Sequence, residues 1–104
     1  MNDLEVNLTK DAKGSLALIY KVYEQRRKNG MSKSQAVYFD GLTADSVQLN
    51  QQISDNVSEL KKAGFISCDI VGGILLKDAA IIYMENKTAD TIKEWLSFAS
   101  QFIP

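Results

Sequence analysis

Leu16, Ile19, Tyr20 and Tyr23 recur at i, i+3, i+4 and i+7 within residues 10–29, the spacing that gathers side chains on one helical face. Asn29-Gly30 closes that helix, because glycine accepts the left-handed conformation just past a cap. Leu18 and Val22 lie on the opposite side. A helix apolar on two sides needs a second partner, here either the C-terminal helix or another subunit. Upstream, Leu4, Val6 and Leu8 alternate with Asp3, Glu5 and Asn7. Period two fits a short strand, and a mobile tail fits equally well at a terminus.

Ser32 can cap a second, short helix with Ala36, Val37 and Phe39 facing inward, ended by a turn at Asp40-Gly41. A third helix runs from Ser46 or Val47 to Ala63 and is closed by Gly64. Leu49, Ile53, Val57 and Leu60 form its inward stripe. Its outer face carries Gln51, Asp55, Ser58 and Lys62, flanked by Gln48, Glu59 and Lys61, with Gln52 nearby. Residues 65–71 and 74–76 are rich in β-formers around Gly72-Gly73, a pair suited to a two-residue hairpin turn with positive φ. Asp78 opens a fourth helix that continues from Ala79 to Glu85, its carboxylate favoured at the positive end of the helix dipole. Thr88 can cap a last helix containing Ile92, Trp95, Leu96, Ala99 and Phe102.

Residues 59–66 (ELKKAGFI), a short hairpin, and residues 75–86 (LLKDAAIIYMEN) thus form a helix ending L-x-x-x-G-hydrophobic, two strands, and a helix entered from the second strand. With the junction KNGMSKSQA at 28–36, this run resembles the winged-helix family. It is similar to small winged-helix proteins of Gram-positive bacteria and their phages, over roughly residues 12–103. There are two departures: Lys77 stands where a capping Thr is usual, and Ala79 or Ala80 where Gly is frequent. The resemblance implies an α+β, mostly helical fold with a three-helix core, a short β-hairpin wing and additional C-terminal helices. It divides the chain into a tail or strand at 1–9, a winged-helix domain at 10–86 and a C-terminal helix at 87–104.

The resemblance also implies a DNA-binding, transcription-regulator-like protein whose third helix enters the major groove. Gln48, Gln51 and Gln52 are candidates for reading bases, since glutamine bonds adenine in two places. Ser58 and Lys62 extend that face, while Asp55 and Glu59 oppose phosphate. Ser32, Lys33 and Ser34 suit a phosphate, with hydroxyls, a charge and free backbone N–H groups. A plain solvated face and a simple helix cap account for the same residues. The turn Val71-Gly72-Gly73 carries no Arg or Lys, whereas DNA-binding wings commonly offer one.

Trp95, Phe98 and Phe102 crowd the last helix. Either this helix fills the domain's own core, or it pairs with its copy in a homodimer through Phe98, Leu18 or Val22. Many winged-helix regulators dimerise by terminal helices, which the resemblance carries over to this chain. The other functional class is a winged-helix protein-interaction module without DNA binding.

Charge moves the balance toward that second class. The 104 residues hold 12 basic and 13 acidic side chains, net −1, where dedicated nucleic-acid domains are usually basic. Chemistry is narrower still. Without histidine, and with Cys68 alone, there is no His general base, no Cys/His zinc site and no intrachain disulfide. Alternation places Cys68 at or beside the core, as a structural cysteine. No phosphate-cradling glycine loop is present. The expectation is a non-enzymatic protein with no cofactor, no small-molecule ligand and no membrane association. The lone thiol fits a reducing cytoplasm, and residues 1–8 lack a basic stretch followed by an apolar one.

Overall fold

The computed structural model describes residues 7–40 and 44–100. Helix α1, Lys10–Lys28, is the axis about which the other helices pack. The hydroxyl oxygen of Thr9 caps it by accepting the Ala12 N–H at 3.3 Å. At its far end the N–H groups of Gly30 and Met31 donate to the carbonyls of Arg27 and Arg26, with Gly30 at φ +91°. This is the Schellman closure that Asn29-Gly30 predicts. Of the alternating stretch at the start, Leu8 is buried, and Leu4 and Val6 lie outside the described residues.

The second helix is shorter than the sequence suggests. Helix α2 is only Lys33–Ala36, and strand β1, Tyr38–Phe39, follows it. Phe39 is fully buried as expected, but from a strand. A two-residue strand is set by its partner: Tyr38 lies opposite Leu75, and Phe39 opposite Ile74. The Asp40-Gly41 turn falls partly outside the described residues.

The third helix is present but divided. Helix α3, Ala44–Ile53, passes through a 3-10 turn, Ser54–Asn56, into helix α4, Val57–Lys62. Each 3-10 residue advances the chain by about 120° instead of 100°, so three of them offset the two outer faces by roughly 60°. Leu49, Ile53 and Leu60 still reach the core, and Val57 is half-buried. Gly64, at φ +80°, closes α4 with the same Schellman pattern, the Phe65 N–H donating to the Leu60 carbonyl at 3.1 Å.

Strand β2, Ile66–Cys68, and strand β3, Ile74–Leu76, form the hairpin. Their register pairs Ile66 with Leu76 and Cys68 with Ile74. With β1 they make a three-stranded antiparallel sheet in the order β1-β3-β2. The connection is a five-residue loop, 69–73, rather than a two-residue turn, and only Gly72 has positive φ. Cys68 is exposed, contrary to the structural role its alternation suggests.

Helix α5, Asp78–Glu85, begins at Asp78 as expected. Helix α6, Ala89–Ser100, is capped by the Thr88 hydroxyl, which accepts the Thr91 N–H at 3.1 Å. It runs along α1, whose most extensive partner it is. The crossing is tight: a Cβ on Gly14 would stand 2.7 Å from the Ala99 amide nitrogen and 3.1 Å from the Trp95 carbonyl. Trp95 is 7% exposed and joins an aromatic row with Tyr83 (6.1 Å) and, through it, Phe65 (4.8 Å). The protein is therefore mostly helical α+β with a small antiparallel sheet, and among its described residues no helix is long and apolar enough to cross a membrane.

Candidate nucleic-acid interface

Gln48, Gln51, Gln52, Ser54, Asp55, Ser58, Lys61 and Lys62 are all exposed along α3, the 3-10 turn and α4. These are the outward positions left once Leu49, Ile53 and Leu60 are turned inward. Glu59 is not among them. Its carboxylate turns back to the start of α1, accepting the Thr9 N–H at 2.7 Å and the Thr9 hydroxyl at 2.9 Å. Asn56, next to it, donates to the Ser15 hydroxyl at 2.8 Å. The 3-10 turn is thereby fastened to α1, and of the two acids expected to repel phosphate only Asp55 faces outward. Position alone could not show this, because the partner of Glu59 lies 50 residues away.

The phosphate cradle expected at Ser32, Lys33 and Ser34 assembles poorly. All three are exposed, but the Ser32 side chain caps no backbone N–H and instead lies 3.4 Å from the Ser34 hydroxyl. The Lys33 ammonium pairs with Asp78 at 3.2 Å, an exposed contact. A four-residue helix also has little dipole to offer an anion.

The residues expected at a subunit interface sit within this chain's own packing. Leu18, Val22 and Phe98 are partly buried against the core, and Trp95 belongs to it. Phe102 lies outside the described residues.

The hairpin loop has an internal lock. Asp69 Oδ1 accepts the N–H groups of Gly73 (2.7 Å) and Val71 (3.1 Å), while Oδ2 accepts the Tyr38 hydroxyl. A Cβ on Gly73 would run into the Tyr38 ring and hydroxyl, so a side chain there must displace Tyr38 from Asp69. Asn50 of α3 donates to the Gly72 carbonyl at 3.2 Å, tying loop to helix. Val47, Asn50, Gln51 and Ser54 then line a groove of about 490 Å³ against Val71 and Gly72. At the apex Ile70 is 102% exposed and Val71 72%.

The lock is pH-sensitive at both ends. The Tyr38 hydrogen bond, with those from the Gly73 and Val71 amides, holds the Asp69 carboxyl below its ordinary value. The same bond raises Tyr38 above its ordinary 10, with burial and the nearby carboxylates adding to it. A depressed acid stabilises the folded loop above its unfolded pKa, and that stability is lost as pH falls through the folded value. A raised phenol stabilises it below pH 10, and that is lost as pH climbs through the folded value. The contribution of the lock is thus fully present between about pH 5 and pH 9. Ultraviolet titration of the four tyrosines is expected to show Tyr38 above 10 and Tyr20, pushed up by burial and Glu24, at about 12. Asp69→Asn or Gly73→Ala returns Tyr38 toward 10 and leaves Tyr20 where it was. An unchanged Tyr38 titration in both variants would refute the lock.

Sequence reasoning missed Asn50 and Asn56, and it missed Tyr38, which lies in the stretch expected to be helical. Comparisons with protein-family models, with curated proteins and with solved structures each return no match.

Proposed function

We propose that this chain is a winged-helix domain that binds duplex DNA, with the helical run 44–62 against the major groove and the 69–73 loop as its wing. The order of elements supports the reading: a helical run leads into an antiparallel hairpin, and β1 completes a small sheet. One observation carries it. The run exposes three glutamines, two serines and two lysines, with Asp55 as the only outward acid of its described face, because Glu59 is tied to Thr9. Amides and hydroxyls can address base edges, and Lys61 and Lys62 can address phosphate. A second copy of the chain would double those contacts, which the modest count per protomer calls for.

A second reading, a protein-interaction module, is favoured by the apolar apex Ile70-Val71 and the near-neutral charge.

Fluorescence anisotropy with a random-sequence duplex pool separates the two. Binding at low salt that weakens steeply with added salt supports DNA. Gln51→Ala combined with Lys62→Glu should lower affinity by on the order of tenfold or more. Both sites are exposed, so stability should change by less than about 0.5 kcal/mol per site. Undiminished binding by that double variant, or no duplex binding at low salt, would overturn the DNA reading.

A further inference from the structure

Asn50 Oδ1 is the one buried side-chain oxygen or nitrogen among the described residues that meets no hydrogen-bond partner. A buried acceptor left unpaired keeps its desolvation penalty, so native proteins hold few of them. The other end of the amide fixes its orientation. The Gly72 carbonyl can only accept, so the Asn50 nitrogen faces it, at 3.2 Å, and the oxygen is left over. The fixed donors of the surrounding groove are committed elsewhere. The Val71 and Gly73 N–H groups go to the Asp69 carboxylate, and the Gly72 N–H to the Asp69 carbonyl. The Ser54 hydroxyl donates to the Gln51 carbonyl at 3.0 Å. Gln51 itself is the next residue of the helix, and adjacent helical positions do not face each other. A donor for Oδ1 must therefore come from outside the chain. None of the six residues lining the groove is charged: Val47 and Val71 give it aliphatic walls, and exposed Gln51 and Ser54 a polar edge. Its volume, about 490 Å³, is that of a small-molecule site. The loop on its far side takes its shape from Asp69 and Tyr38. Among the described residues the Asn50–Gly72 bond is the only hydrogen bond joining that loop to α3, so the two can part with the loop's own shape kept.

We propose that this groove is a binding site for a small, neutral, aliphatic primary carboxamide. The ligand's amide pairs edge to edge with the Asn50 amide, its N–H donating to Oδ1 and its carbonyl accepting from Nδ2 in place of Gly72. Its alkyl group lies between Val47 and Val71. A primary amide is the complement of Asn50 because it carries a donor and an acceptor on one edge, and the unpaired oxygen then gains the partner that the chain does not supply. The displaced Gly72 carbonyl turns to water, at an exposed position of the loop. A carboxylate cannot take the same place: at neutral pH it has no proton to give, and no lysine or arginine lines the groove to receive its charge. The site stands whether or not α3 meets DNA.

The test is a titration of the isotope-labelled full chain with pentanamide, followed by amide proton–nitrogen correlation NMR. Saturable shifts are expected at the side-chain NH2 of Asn50 and at the backbone amides of Val71 and Gly72. The dissociation constant should lie in the millimolar range open to a ligand of so few atoms. N,N-dimethylpentanamide has the same chain and carbonyl but no N–H, and pentanoate carries a charge. Each should bind the wild-type protein at least about tenfold more weakly than pentanamide. Asn50→Leu keeps much of the side-chain volume and removes both polar atoms, so it should lose pentanamide binding, with its melting curve showing that it is folded. The ligand series on the wild-type chain does not depend on that variant. Shifts that fail to saturate, or that fall on residues away from the groove, overturn the site. Equal affinity for pentanamide and its dimethyl analogue overturns the pairing with Oδ1, and so does pentanamide binding that survives in folded Asn50→Leu.

Discussion

A chain cut after Asn86 is expected not to fold cooperatively. Helix α6 covers α1 along the line where Gly14 admits the α6 backbone to contact distance. The cut removes Trp95, and with it the half-buried Ile92, Leu96 and Phe98. Removing one buried Trp or Phe side chain costs about 3–5 kcal/mol. A domain of this size has a total of about 5–15 kcal/mol. Removing Trp95 and its three neighbours together exceeds what the remainder can absorb. Tyr83 would also lose its face on Trp95, and Lys13 and Lys87 the ring over which they lie at 5.5 Å. The expected product gives weak helical dichroism and a sloping urea curve. A truncated protein that melts sharply as a monomer would show that α6 is a detachable dimer element. Gly14→Val in the full chain gives a graded version. Overpacking the crossing costs about 1–3 kcal/mol, or about 4–8 °C of melting temperature for each kcal/mol. Trp95 emission should shift to the red as the helices part.

The way α6 meets α1 also shows what the sequence could convey. Apolar residues on two sides of α1 require a second covering layer, and the aromatic stripe of α6 matches it, so the pairing was legible as one of two options. What lets α6 lie directly on α1 is Gly14, a mid-helix glycine whose purpose appears only when another backbone lies on it. Helix ends at Gly30 and Gly64 were legible because their signals are local, a few residues of periodicity followed by glycine. Strand β1 was not, because Tyr38 and Phe39 become a strand only through Leu75 and Ile74, some 35 residues on. The hairpin loop misled for a related reason. Gly72-Gly73 is read as a two-residue turn when backbone alone is considered, but the Asp69 carboxylate takes over the turn's hydrogen bonding and lengthens it to five residues. In the candidate interface, the outward set from Gln48 to Lys62 followed from helical period. The removal of Glu59 from that face depended on Thr9, which no spacing rule connects to it.

Phe39→Ala should bring the protein close to unfolding at room temperature. Phe39 is fully buried and is the largest such side chain of the core. Its ring also carries the Arg26 guanidinium at 4.3 Å. Arg26 in turn donates to the Tyr38 carbonyl at 2.8 Å and to the Ser46 hydroxyl at 3.2 Å, binding α1 to β1 and to the start of the helical run. The alanine variant loses about 3–5 kcal/mol of packing, and further stability because a half-buried cation loses its aromatic face, about 0.5–2 kcal/mol. Phe39→Leu separates these two terms. It keeps most of the apolar volume and loses the ring, so it should cost about 1–2 kcal/mol. Because β1 pairs with β3, the damage should also reach the hairpin: amide exchange at Ile74 and Leu76 should quicken in Phe39→Ala before it does at the far end of α1. A leucine variant as unstable as alanine would assign nearly all of the loss to the guanidinium stack. The expected order, wild type above leucine well above alanine, would make Phe39 the joint at which the sheet meets the helices.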